Sequence, residues 1–347
     1  MNTAARFFTV DGLNNTLVFK IDTRNVVTGA TDGSENPLTF RLPISQFNSY
    51  NAFIIRVNDG RPDVSITSST GASALELSFS SAGVYTITLI GRIGNFNFQG
   101  SYSGSAYGYD RLKAISIDRW SSTVRWGAGC FMGCTNLYIN AQNTLVLPSD
   151  SSDFFRGIAG FNISLSLIDT TKVTISLRML NNINTVLDGQ LNSFWQSVVS
   201  FASVYSGNTF NSTVNKIEII SNSLENFDTP WDAVVFQNTG TIELICDTPN
   251  LRRMFRVFRN GHVRSRCHAG RIDVRNVTDP NGWITGALTT AQTDATLLGW
   301  ANNLPFMQAG VTWNWNGSTY SNNPAVIAAI NKITTQWGVI FTNLTMA

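Results

Sequence analysis

The chain has 347 residues, enough for two or three domains, with 43% hydrophobic but only 13% charged residues, about half the usual ~25%. A formal net charge of +2 gives no general drive toward nucleic acid or an anionic surface. No run approaches the ~18 apolar residues of a membrane span, so no membrane partner is expected.

Residues 1–100 read as all-β. Phe7–Val10, Leu17–Ile21, Phe40–Ile44, Phe53–Val57, Val64–Thr67 and Gly83–Gly91 are β-rich runs. Asp11-Gly12, Asn14-Asn15 and Asn58-Asp59-Gly60 supply turns between them. Short strands at this spacing predict a β-sandwich. Gly94–Gly108, rich in Gly, Ser and aromatic residues, reads as a junction.

Residues 109–280 repeat themselves. Phe131, Phe155 and Met179 are 24 residues apart, and the spacing then drifts through Phe201, Phe236 and Phe255. Between them lie short alternating runs at Ala114–Ile117, Leu137–Ile139, Ile163–Leu167, Ile217–Ile219 and Ile242–Leu244. Each reads as a strand with one face inward, because successive side chains point to opposite faces. One strand per unit, at a period in the twenties, is the pattern of a degenerate leucine-rich-repeat solenoid.

Leu251–Arg275 breaks the neutral composition. It holds Arg252, Arg253, Arg256, Arg259, Arg264, Arg266, Arg271 and Arg275, both histidines, and one acid, Asp273. Arginine's forked donors make the first six a candidate contact for an anion or a partner protein. The other reading pairs them with carboxylates or leaves them in water. The modest net charge argues against a nucleic-acid footprint.

Residues 281–347 turn α/β. Thr290–Asn303 fits one helix; Asn323-Pro324 opens a second, Asn as N-cap and Pro in the first turn, with Gly338 as its end. Val339–Phe341 reads as a last strand. Such a segment would cap the solenoid.

The chemistry-bearing residues form no recognisable catalytic set. G-x-S-x-G, a phosphate-cradling G-x-x-x-x-G-K and H-E-x-x-H are absent. Carboxylates such as Asp228 and Asp232 could pair as in glycosidases, and sequence spacing alone cannot establish it. Cys130, Cys134, Cys246 and Cys267 lack the second tight pair of a zinc site and read as small buried thiols. No enzyme activity, metal or cofactor is expected.

Two resemblances bear on fold and role. Val57-Asn58-Asp59-Gly60 with Phe79–Ile87 resembles the turn and following strand of PKD-type immunoglobulin-like domains, although the family's Trp and His are missing. Asp59 and Asp63 could there serve a cation or simply form the turn. Trp120, Trp126 and Cys130-Phe131-Met132-Gly133-Cys134 resemble the BspA-like leucine-rich-repeat surface proteins, whose Phe fills the core and whose Gly-Cys makes a tight corner. The family implies a cell-surface adhesin, closed by a helix, a loop that would here be Trp313–Tyr320, and a strand.

Met1–Leu17 lacks the apolar core and cleavage site of a secretory signal. A charge-poor chain of adhesin-type domains kept in the cytosol of its producer fits a bacteriophage virion protein. The expectation is a non-enzymatic structural or appendage protein of the virion (capsid decoration, head fibre or tail component). It would be made in the host cytoplasm and contact itself, other virion proteins and host surface glycan. The alternative is a secreted or bacterial cell-surface adhesin; a glycan-processing enzyme is a weaker third.

Overall fold

The computed structural model describes residues 14–26, 35–44, 50–67, 75–98, 110–189, 191, 195–259 and 261–347. The expected strand Phe7–Val10 and residues 99–108 of the expected junction lie outside them, whereas Gly94–Phe96 belong to a strand. The described chain is mainly β, without a closed barrel. It divides into two compact units, Met1–Asp169 with Ile183–Thr185, and Thr170–Asn182 with Val186–Ala347.

In the first unit the strands are β1 (Thr16–Asp22), β2 (Thr39–Arg41), β3 (Ala52–Val57), β4 (Val64–Ile66), β5 (Glu76–Ser78) and β6 (Val84–Phe96). They are followed by β7 (Ala114–Arg119), β8 (Val124–Trp126), β9 (Tyr138–Ile139), β10 (Leu145–Val146), β11 (Gly160–Phe161) and β12 (Ile168–Asp169). One sheet runs β11-β9-β7-β1-β6-β3-β4. Its β1 alternates as the sequence predicts, burying Leu17, Phe19 and Ile21 completely. The antiparallel pair β2–β5 faces that surface, with the Phe40 ring 6.1 Å from Phe19. The sheet changes character at β7, which pairs antiparallel with β1 and parallel with β9. The parallel strand pairs of the repeats therefore begin on the edge of the N-terminal sheet.

The second unit contains β13 (Ser200–Ala202), β14 (Thr209–Phe210), β15 (Lys216–Ile220), β16 (Asn226–Asp228), β17 (Val235–Phe236), β18 (Ile242–Asp247), β19 (Arg253–Phe255), helix α1 (Gly261–Arg266) and β20 (Cys267–Ile272). These make three parallel ladders, β13-β16-β19, β14-β17 and β15-β18-β20. Each full turn thus carries three short strands, which corrects the expectation of one strand per repeat. The expected strand Ile163–Leu167 is also corrected. Leu165–Leu167 form a 3-10 turn because the Ser164 side chain accepts the Ser166 N–H, and pairing starts only at Ile168.

Backbone conformation marks the repeat more sharply than residue type. A left-handed residue recurs at Gly129, Asp153, Arg178, Ser203, Thr229, Arg256 and Gly282, at intervals of 24 to 27 residues. Two positions beyond each lies a buried side chain: Phe131, Phe155, Leu180, Tyr205, Trp231, Phe258 and Ile284. The corners hydrogen-bond from turn to turn, Leu180 N–H donating to Val204 O (3.0 Å) and Phe258 N–H to Trp283 O (2.9 Å). Their aromatic residues stack, Phe131 on Phe155 at 5.9 Å and Tyr205 on Trp231 at 5.5 Å. Met179 is fully buried, as expected of a repeat core, but Leu180 holds the equivalent site.

Helix α2 (Thr290–Asn303), β21 (Thr312–Tyr320), α3 (Pro324–Asn331) and β22 (Ile340–Met346) complete the second unit. Thr289 caps α2, and Asn323 caps α3 with Pro324 in its first turn. Arg253 on β19 bridges to Asp279 and Phe258 to Ile284, and β21 lies parallel to β22 in a separate two-stranded sheet. Helix α2 packs on β20 because both elements carry glycine at the crossing. A Cβ on Gly299 would stand 2.4 Å from Gly270 Cα. Trp313–Tyr320 is a strand and not the expected loop. Its alternation buries Trp313 and Trp315 in a cluster with Trp283 and Trp300, at ring separations of 4.9 to 5.8 Å.

Candidate functional site

The arginine-rich segment supplies β19 and β20 to two of the three ladders, with α1 between them, so its cations are distributed instead of gathered. Arg253 on β19 lies between Asp228 and Asp279, 3.7 Å from each. Arg259 meets Asp232 at 3.1 Å, and Arg271 on β20 meets Glu243 at 3.2 Å. Arg275 pairs with Asp273 at 2.6 Å. Except for Arg275, these carboxylates come from a neighbouring turn, about one repeat away in sequence. Apart from Arg275–Asp273, whose carboxylate is buried, the pairs are exposed enough that each is worth only about 0.2–1 kcal/mol.

Backbone oxygens engage two more of the cluster. Arg264 Nη1 donates to Arg259 O (2.8 Å), and Arg266 Nη1 donates to Thr239 O. Arg256 sits over the Phe255 ring at 4.7 Å. Arg252 and Arg256 are exposed and form no ion pair with the described carboxylates. Of the six candidate contacts, these two keep the most freedom to meet an anion.

The same pairs answer the carboxylate readings. Asp228 faces Arg253 and Asp232 faces Arg259. Burial holds the Asp228 carboxyl above its ordinary value, with Asp279 adding to the rise and Arg253 opposing it. Asp59 is bonded to Arg61, and Asp63 to Arg56 at 2.7 Å. Both turn carboxylates are therefore spent on guanidinium groups. Among the described residues, no group of three or more His, Cys, Asp or Glu is placed to hold a metal ion.

All four thiols are free and buried. Burial raises each above its ordinary value, so none is a ready nucleophile. Cys134 is fully buried with Phe131 and Phe155, and Cys130 donates to Phe96 O at 3.1 Å. His262 is exposed on α1, while His268 on β20 is half-buried. The His268 imidazole is held below its ordinary value, chiefly by burial and further by Arg271, with Glu243 opposing.

Two surface concavities accompany the ladders of the second unit. A cleft of about 330 Å³ over β18 and β20 is lined by Glu218, Asp247, Arg271, Asp273, Arg275 and Asn303, among others. A shallower one, about 730 Å³, lies beside Asp279, Asn281, Gln308, Thr312, Asn314 and Thr342. Both are open and polar.

Side-chain amides bridge successive turns in a way that the composition hints at but does not locate. Asn140 Nδ2 donates to Asp118 Oδ1 (3.2 Å), and Asn162 Nδ2 to Asn140 Oδ1 (2.7 Å). In the second unit Asn238 Nδ2 donates to Val214 O and Asn276 Nδ2 to Pro249 O. The missing charge is thus replaced by amides committed to the fold.

No family model, curated protein or solved structure matches the chain.

Proposed function

We propose that this chain is a non-enzymatic structural or appendage protein of a bacteriophage virion, a capsid decoration, head fibre or tail component. The observation that carries the reading is how the outward ladder positions are used. Arginine–carboxylate pairs between turns and Asn amide bridges occupy them, which suits a scaffold that presents a surface more than a reaction centre. On this reading the N-terminal sheet with β2–β5 is an immunoglobulin-like sandwich. The parallel ladders are a degenerate leucine-rich-repeat solenoid of the BspA-like kind, closed by the α/β segment. The corner at Phe131-Met132-Gly133-Cys134, with Phe131 and Cys134 buried and Gly133 left-handed, supports that assignment. Arg252 and Arg256 would supply any contact with host glycan or an acidic partner.

The test uses antibodies raised against the purified chain to probe density-purified particles from lysates of the producing host. Label in the particle band is expected. Label confined to the cell envelope or the culture medium would overturn the proposal in favour of a bacterial adhesin.

A further inference from the structure

The outward face of the β15-β18-β20 ladder is polar or charged except at two positions. Lys216, Glu218, Glu243, Asp247, His268 and Arg271 stand on it, and Ile220 and Ile245 are its apolar members, both half-buried. Parallel pairing sets Ile220 beside Asp247 and Ile245 between Glu218 and Arg271, so the two isoleucines are diagonal neighbours on one face. Both line the cleft of about 330 Å³, within the range of about 300–1,000 Å³ of small-molecule sites. The end of α2 forms another part of the lining. Asn303 Nδ2 donates to Gly270 O at 3.1 Å, which fixes the amide beside the cleft, and Leu304 and Pro305 follow it.

Charge around the cleft selects the ligand. Glu218, Asp247 and Asp273 bring three carboxylates to the lining, and Arg271 and Arg275 bring two guanidinium groups. Asp273 is bonded to Arg275 at 2.6 Å, Arg271 meets Glu243 at 3.2 Å, and Lys216 lies 3.4 Å from Glu218. Asp247 is exposed and forms no ion pair among the described residues. An anion entering the cleft would meet the carboxylates, and a cation would meet the guanidinium groups. A neutral hydroxyl avoids both penalties, because it donates to a carboxylate and accepts from a guanidinium or amide N–H. A ligand that carries hydroxyls around an apolar face therefore matches both the charged lining and the isoleucines. A pyranose ring has that form, with apolar C–H faces and hydroxyls at its edge.

We propose that this cleft is a binding site for a neutral saccharide. Asp247 accepts from its hydroxyls, and Ile220 and Ile245 lie under a ring face. The site is separate from the Arg252 and Arg256 contact and does not depend on the virion reading.

The test is saturation-transfer NMR on the purified full chain with the methyl glycosides of glucose, galactose, mannose and N-acetylglucosamine as probes. At least one glycoside is expected to receive saturation. Asp247→Ala and Ile220→Ser should each weaken that binding at least about tenfold, whereas Arg252→Ala/Arg256→Ala should leave it unchanged. Inorganic phosphate and Nα-acetyl-lysine amide, one an anion and the other a cation, should not displace the glycoside. No transfer to any of the four probes, binding that survives either cleft variant, equal loss in Arg252→Ala/Arg256→Ala, or displacement by either ion would overturn the proposal. Urea unfolding that matches the wild type keeps misfolding of a variant from passing as lost binding.

Discussion

Lys113 Nζ lies 3.1 Å from Asp110 Oδ1, and both side chains are essentially inaccessible to water. The ammonium also donates to Asn36 O (2.7 Å) and Thr39 O (2.9 Å), and Asp110 Oδ2 accepts the Arg41 N–H at 2.8 Å. The pair therefore ties the segment leading into β7 to both ends of β2. Every polar group it buries within this set is satisfied, which is the condition under which a buried ion pair is tolerated.

Removing one partner leaves the other charge stranded. Lys113→Met is expected to destabilise the chain by about 3–5 kcal/mol in urea unfolding. The double variant Lys113→Met/Asp110→Leu should recover part of that loss. A single variant within experimental error of the wild type would refute this account of the junction.

The left-handed corners carry a separable cost. Thr229, β-branched with φ at +48°, sits where an L-residue is disfavoured by about 1–2 kcal/mol. Thr229→Gly should raise stability by about 1 kcal/mol despite the greater freedom of the unfolded chain. Unchanged or lower stability would mean that contacts of the Thr229 side chain outweigh the backbone strain.

The seat of α2 on β20 predicts the opposite sign. Gly299→Ala places a methyl against the Gly270 backbone, and overpacking of this kind costs about 1–3 kcal/mol. The variant should unfold at lower urea concentration, with α2 losing amide protection first in hydrogen exchange. Wild-type protection would show that helix and strand can separate slightly at no cost.

His268 gives the stability a pH dependence. Its folded pKa lies below the ordinary 6.5, so the unfolded chain takes up a proton that the folded chain refuses. The contribution is present above 6.5 and is lost as pH falls through the folded value. His268→Asn keeps an acceptor for the Gly270 N–H, which now meets Nδ1 at 3.2 Å. It should therefore shrink the loss of urea resistance between about pH 7.5 and about pH 5. Equal losses in wild type and variant would remove His268 as the cause.

The arginine cluster predicts unequal contributions to anion binding. On a heparin column, Arg252→Ala and Arg256→Ala should elute at lower salt than the wild type. Arg259→Ala and Arg271→Ala, which break pairs with Asp232 and Glu243, should change retention little. Their unfolding free energies should move by no more than about 1 kcal/mol. Equal loss from all four would mean that the ion pairs open on binding.

Much of the local structure is legible in the residues themselves. Leu17–Ile21 alternates because β1 has one buried face, and Asn323-Pro324 opens α3 because its cap and first-turn chemistry are local. Phe131, Cys134 and Phe155 are inward because a short repeat has nowhere else to put them. The later repeats fade from view for a physical reason. The core position tolerates Leu180, Tyr205, Trp231, Phe258 and Ile284, since stacking fills space with any large apolar side chain. The corner position imposes a left-handed backbone on Arg178, Ser203, Thr229 and Arg256, none of which announces it. The Trp313–Tyr320 strand hides its period-two signal behind Gly317 and the bend at Asn316. The partners of the arginines lie about one turn away in sequence, so pairing is decided by which residues the coil brings alongside. Sequence alone determined a charge-poor, mainly β chain with an apolar repeat. Only tertiary stacking decided which of its arginines meet carboxylates and which, such as Arg252 and Arg256, do not, because that depends on what stands next to a residue across the turns.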